Sequence, residues 1–352
     1  MLKLLCLKWR AVLATALVGA LMVGCSSTSG SDAGGGDGVR NPVMGAAEGS
    51  ADGPSAAPSA LAEGMGSDVD KDGTFPRTVK HFKGSTALKA APLRIAVLST
   101  GQLDDLLSLG VVPAVNTRAT NAGLVPDYLA TAFPQYKAQL AAMTDAGTRQ
   151  APNLETLAKA KPDLILANDS LGDLYPKLSK IAPTVVTAGN GINWKRDLLL
   201  VGDAVGKGQQ AQRLVDDIAA DAVAGGKGSK AVISMVRFTP DRIRMFGVSS
   251  FTGSIAVDMG LERPKSQQFK AISEDIGSES IDTADGDWIF YSVQGAADKT
   301  DAASVLAGPL WKSMGAVKAG HAIKVDDDPW YLNAGPTAAR LVVRQLAEHI
   351  GK

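Results

Sequence analysis

The stretch 194–224, WKRDLLLVGDAVGKGQQAQRLVDDIAADAVA, limits the possible folds of this chain more than any other. Ala211, Leu214, Val215, Ile218 and Ala222 recur at helical i, i+3, i+4 spacing, with Asp216, Asp217 and Asp221 on the other face. Gly202, Gly206 and Gly208 each cost a helix interior about 1 kcal/mol against Ala. The stretch therefore reads as two helices, or as one broken near Gly206. Strand and helix patterns alternate on both sides of it. A helical link between two such halves implies a stiff hinge with a cleft across it.

Before the link, strands are expected at 93–98, 111–115, 164–167 and 184–187, with helices at 103–109, from an Asn153 cap to 160, and at 174–181. After it, strands are expected at 231–236, 242–246, 288–291 and 322–325, with helices at 253–259, from a Ser278 cap, and at 336–350. Such alternation argues for parallel βα units. Glu155 stands eight residues before Asp163 and Glu279 eight before Asp287, and each aspartate introduces an apolar strand. This weak internal repeat predicts two lobes of one fold. The expected architecture is α/β, with an N-terminal lobe over 92–193, a linking helix over 194–228 and a C-terminal lobe over 229–352.

Lys3, Lys8 and Arg10 precede an apolar run at 11–23 that is short for a membrane span and reads as a secretory signal over 1–25. Its ending, LMVGC, resembles a bacterial lipobox, with a lipid on Cys25; the other reading is a secreted protein with a chance cysteine. Residues 26–91 are rich in Gly, Ser, Ala, Asp and Pro and read as a flexible tether. Within it, TFPRTVKHFK at 74–83 can form a short strand or hairpin at the edge of the first lobe.

Lys+Arg and Asp+Glu both number 36, and losing the signal leaves 33 basic against 36 acidic groups. Nothing in that balance attracts nucleic acid or an anionic membrane surface. The two cysteines, Cys6 and Cys25, precede the folded part, which excludes a disulfide framework, a zinc ribbon or a cysteine nucleophile there. His81, His321 and His349 have no metal-ligand spacing. A G-x-S-x-G elbow is absent, since Gly247-Val248-Ser249 runs on into Ser250-Phe251. The residues thus argue against an enzyme and against a metal held by the protein.

The phrases NLETLAKAKPDLILAN, VGDAVGKGQQAQRLV, SFTGSIAVDMGLERP, PLWKSMGAVKAGHAIKVD and DPWYLNAGPTAARLVVRQL cover both lobes in order. Through them the chain resembles the helical-backbone (class III) substrate-binding proteins of bacterial ABC importers, in the iron-siderophore branch. The resemblance implies two similar lobes joined by a long helix, with the ligand between them. It implies a monomeric lipoprotein, anchored at the extracytoplasmic face of the cell membrane, that delivers a ferric siderophore to a permease and its ATPase. SFTG, MGLERP and WYLNAGP favour a hydroxamate or mixed carboxylate siderophore. The iron arrives with the ligand, so no cofactor is expected. Alternatives are a cobalamin or haem binder on the same scaffold, or a sensory or structural lipoprotein that does not transport.

Glu155 and Glu279 match the family's two permease-docking acids, although each also reads as a first-turn acid favoured by the helix dipole. Arg237 ends the first strand of the second lobe, at the edge where open α/β sheets bind ligands, and its planar fork suits hydroxamate or carboxylate oxygens. Arg244 is a second candidate, or a solvated strand residue. Trp330 and Tyr331 stand in the loop that the family uses as a cleft wall. Trp194 lines the cleft or staples the linking helix, and Thr100 follows the first strand, close to a ligand. Arg118 and Tyr128 read as cleft loop or plain surface. Trp311 and Trp288 are assigned to the core.

Overall fold

A computed structural model describes residues 56–351 except 121 and 190. The expected signal, the lipobox with Cys25 and the first part of the tether lie outside the described residues.

Residues 77–88 form a hairpin of β1 (Arg77–His81) and β2 (Gly84–Leu88). The N-terminal sheet follows, with β3 (Ile95–Val97), β4 (Val115–Arg118), β5 (Thr144–Thr148), β6 (Ala151–Pro152), β7 (Leu164–Asn168) and β8 (Thr184–Thr187) in the order β6-β5-β4-β3-β7-β8. Every neighbouring pair is parallel except β5 with β6. Between the strands lie α1 (Gln102–Ser108), α2 (Asp127–Ala132), α3 (Lys137–Ala141), α4 (Leu154–Ala160) and α5 (Tyr175–Leu178). Strands covered on both faces read as unbroken apolar runs, as LILA and TVV do. The second strand starts at Val115, where the run from Val111 had suggested an earlier start. Gly110 (φ 74) turns the chain out of α1, and Pro113 has no N–H to give a ladder. The helix expected at 174–181 shortens to α5, with 3-10 turns ahead of it at Asp169–Leu174.

The link is two helices, α6 (Trp194–Ala204) and α7 (Gly208–Gly226), and the break falls at Gly206, whose φ of 71 is left-handed. On one side α6 packs on α1 and β8, while α7 packs on two helices of the second lobe, α8 (Phe251–Asp258) and the C-terminal α12.

The C-terminal sheet contains β9 (Ile233–Thr239), β10 (Arg242–Phe246), β11 (Ser273–Ile276), β12 (Trp288–Val293) and β13 (Ala322–Lys324), ordered β11-β10-β9-β12-β13. Helices α9 (Ala302–Ala307), α10 (Pro309–Ser313) and α11 (Gly315–Lys318) precede β13, and α12 (Pro336–Ile350) closes the chain. β9, β12 and β13 are parallel, but β10 and β11 are not. Only Pro240 and Asp241 join β9 to β10, too few residues for a parallel crossover. The Ser278 segment winds as 3-10 turns over Ser278–Ala284 instead of an α-helix.

The lobes nonetheless share a plan, with β4-β3-β7-β8 answered by β10-β9-β12-β13. The repeated aspartates serve the same purpose in each. Asp163 accepts from the Leu93 and Arg94 amides ahead of β3, and Asp287 accepts from the Val232 amide ahead of β9. Trp311 is buried as expected; Trp288 is only half-buried, with its ring stacked on His321 at 3.8 Å.

The expected tether does not reach residue 91. Beyond the hairpin itself, residues 57–77 form a strap across the link. Buried Asp203 accepts from Arg77 Nη1 (2.9 Å) and Ser67 Oγ (2.6 Å). Asp72 accepts from the Gln209 and Gln210 amides, capping α7, and the Gly73 amide donates to Gly206 O at 2.8 Å. The composition of this segment suggested a coil, but Ser67, Asp72 and Arg77 each find a fixed partner.

Candidate ligand cleft

The strand ends of the first lobe face the second across a cavity of about 130 Å³. Thr100, Gly189 and Gly191 line it from the first lobe, Trp194 and Asp197 from the link, and Phe246, Phe251, Tyr331 and Asn333 from the second. The lobes close tightly around it. A Cβ on Gly191 would lie 2.6 Å from the Phe251 amide nitrogen, and one on Gly101 2.3 Å from Ala334 O. Both glycines admit backbone where no side chain fits.

Two side chains tie the lobes beside this cavity. Arg149, just past β5, donates to Thr100 Oγ1 (3.3 Å) in its own lobe and to Leu332 O (3.4 Å) and Asn333 Oδ1 (2.8 Å) across the boundary. Its Nε is buried without a hydrogen-bond partner. Burial lowers its pKa, against the raising effects of Tyr128 and Asp328. Asp104 of α1 accepts from the Thr337 (3.1 Å) and Ala338 (3.0 Å) amides and so caps α12 from the other lobe. On the link, Asp197 accepts from the Ala188 (3.0 Å) and Gly189 (2.7 Å) amides, and burial pushes its carboxyl up to about 7 despite those bonds. The pKa of the neighbouring Asp105 is raised by burial and by the charges of Asp104 and Asp197.

The residues chosen from sequence are distributed unevenly. Thr100 and Tyr331 line the cavity; the Tyr331 ring lies 4.6 Å from Phe246 and its hydroxyl donates to Phe290 O. Trp194 and Trp330 back the cavity, but their side chains are 1% and 0% exposed. Trp194 donates to Ser254 Oγ and packs edge-on against Phe251, while Trp330 donates to Gln345 and stacks on Phe290. Both line the cavity with rings that are otherwise packed into the core. Trp330 and Tyr331 also sit in a π-helical turn, Asp328–Leu332, and not an open loop.

Four others are already engaged. Arg237 is 7% exposed and bound bidentately by Asp327 (2.8 and 2.7 Å), which also accepts from Ser292 Oγ. Arg244, its cross-strand neighbour, donates to Asp275 at 2.9 Å, and Arg118 to Asp145 at 2.9 Å. The buried Tyr128 hydroxyl donates to Asp104 Oδ2 at 3.3 Å. Each of these acids stands at least 24 residues away in another element, so its claim on the side chain is a tertiary fact. Arg149 was missed. Its position two residues before the strand at Ala151 and near the Asn153 cap, in GTRQAPN, was the available signal.

Glu155 and Glu279 are exposed on the first turns of α4 and of the Ser278–Ala284 turns, where Glu155 also pairs with Lys159 at 2.7 Å. Among the described residues, no cluster of three or more His, Cys, Asp or Glu is placed to hold a metal ion. A larger hollow, about 630 Å³, lies between α2 and α12, and its lining includes Tyr128 and Thr337, both bonded to Asp104.

Residues 95–329 match the family described as periplasmic binding protein. The chain belongs to this family. It is 31% identical over 293 residues to the probable siderophore-binding lipoprotein YfiY of Bacillus subtilis, covering 78% of this chain and 88% of that one. It is 29% identical to the ferric-anguibactin-binding protein FatB of Vibrio anguillarum, over 77% of this chain and 86% of the relative. Among solved structures, Staphylococcus aureus SirA complexed with staphyloferrin B superposes with a TM-score of 0.68 at 28% identity, covering 78% of this chain and 98% of SirA. The two-lobed, helix-linked architecture is thus that of the class III binding proteins.

Proposed function

We propose that this protein captures a ferric siderophore, of hydroxamate or mixed carboxylate type, and delivers it to an ABC permease. The observation that carries the reading is the cavity between the lobes, at the strand ends, with a buried guanidinium beside it that bonds three lining residues and whose Nε has no partner. Arg149 would donate to an iron-bound oxygen, with Tyr331, Phe246 and Phe251 supplying apolar contact. The enclosed volume is well below the roughly 300–1,000 Å³ of typical ligand sites, so the lobes must part at Gly191 and Gly101 for a ligand to enter. The reading is of a binding protein and not an enzyme. Iron comes inside its chelator, with no cofactor of the protein's own. A lipid on Cys25 holds the monomer at the extracytoplasmic face of the membrane, and Glu155 and Glu279 meet the permease.

Titration of the protein, followed by tryptophan fluorescence, tests this. Saturable quenching by a ferric siderophore but not by its iron-free form supports the reading. A response to cobalamin or haem alone moves the protein to the alternative branch. Silence toward every ligand points to a sensory or structural lipoprotein.

A further inference from the structure

We infer that the cleft sorts ferric complexes by charge, accepting neutral or cationic ones and rejecting polyanions. This rests on the siderophore reading above and narrows it toward hydroxamates. Three hydroxamates neutralise ferric iron, whereas three catecholates leave a trianion. A trianion needs several uncommitted cations in its site, because desolvating its charge is otherwise strongly unfavourable.

The cavity supplies none directly: among the described residues, its lining includes one acid, Asp197, and no lysine or arginine. The arginines nearest the strand ends are spoken for. Arg237 and Asp327 form a nearly buried bidentate pair, with side chains 9% and 13% exposed. Drawing Arg237 onto an incoming anion would strand Asp327 as a buried charge, held only by Ser292, which is strongly unfavourable. Arg244 and Arg118 are each matched by an aspartate, Asp275 and Asp145. Arg149 and Arg263 remain. Arg149 stands in the field of Asp328, itself crowded by Asp326 and Asp327. Arg263 has an unpartnered Nη1, but its Nε and Nη2 are held by Ile233 O, Phe246 O and Gln267. Two guanidiniums, one of them so held, can orient a neutral complex among several carboxylates. They cannot balance a trianion.

The test is an equilibrium titration of the full chain with ferrichrome (neutral), ferrioxamine B (cationic) and ferric enterobactin (trianionic), at low and at physiological salt. The first two are expected to bind at least about tenfold more tightly than the third, whose affinity should rise as salt screens the repulsion. Asp327→Asn releases Arg237 and should raise the affinity for the trianion, relative to ferrichrome, by about tenfold. If that variant does not fold, the salt dependence of the unaltered protein decides. A trianion that binds as tightly as ferrichrome, and more weakly with added salt, overturns the inference and leaves the siderophore reading standing. Silence toward all three complexes overturns the siderophore reading, and this inference with it.

Discussion

Arg149 joins three demands in one side chain: it is buried, it bridges the lobes, and its Nε is without a partner. Arg149→Ala is expected to weaken siderophore binding by about 10- to 100-fold, since a hydrogen bond to or from a charged group is worth about 1.5–3 kcal/mol; the fluorescence titration reads this directly. Asp197 makes a prediction of a different kind. Its native pKa of about 7 lies above the unfolded value, so the native state binds more protons between those two values. Stability should therefore fall as pH rises from about 4 to about 7, with Asp105 acting in the same direction. Urea midpoints should be higher near pH 5 than near pH 8, and Asp197→Asn should flatten that difference. An unaltered slope in the variant would assign the pH dependence elsewhere.

At the scale of elements, the strap over the link is the part least visible in composition. Gly, Ser and Asp in 56–77 look like solvated coil, and for a chain without partners they would be. Here Asp203 lies on α6 where Arg77 and Ser67 can both reach it, and Asp72 finds the open amides at the start of α7. Asp203→Ala leaves Arg77, 3% exposed, without its carboxylate and is expected to cost about 3–5 kcal/mol of unfolding free energy by urea denaturation. The Arg77→Met, Asp203→Leu pair should recover much of it, because an apolar replacement strands no charge. The break between α6 and α7, by contrast, was legible from Gly206 alone, since the left-handed backbone there suits glycine. The antiparallel pairing of β9 with β10 was not, because β9 runs on to Thr239, three residues past the expected strand end, and leaves only a two-residue connection. The 3-10 winding of 278–284 was not; its short polar segment has no apolar stripe to hold an α-helix.

For the whole molecule, polar ties between the lobes accompany an apolar cluster that runs across their boundary, where Leu103, Leu107 and Leu129 pack with Ala338, Ala339 and Val342. Arg149 meets the 332–333 backbone and side chain, Asp104 caps α12, and Lys195 of α6 pairs with Asp258 of α8 at 2.7 Å. Such ties can part together to admit a ligand and reform around it. A saturating ferric siderophore should accordingly raise the melting temperature, through a linkage term of about 2.7 kcal/mol at a hundred times Kd. The docking proposed for Glu155 and Glu279 is tested separately. Reversing both Glu155 and Glu279 to Arg should abolish siderophore-dependent uptake in cells while the purified protein keeps its affinity; loss of affinity as well would remove the docking role. Sequence alone determined the alternation of strand and helix and the break in the link, because each follows from local periodicity and turn chemistry; the repeated aspartates were visible as spacing, but their bonds to amides ahead of a strand 55 or more residues away were not. Which arginine is free to meet a ligand was decided only by the tertiary structure, since a guanidinium is available or committed according to the carboxylates that distant parts of the chain bring beside it.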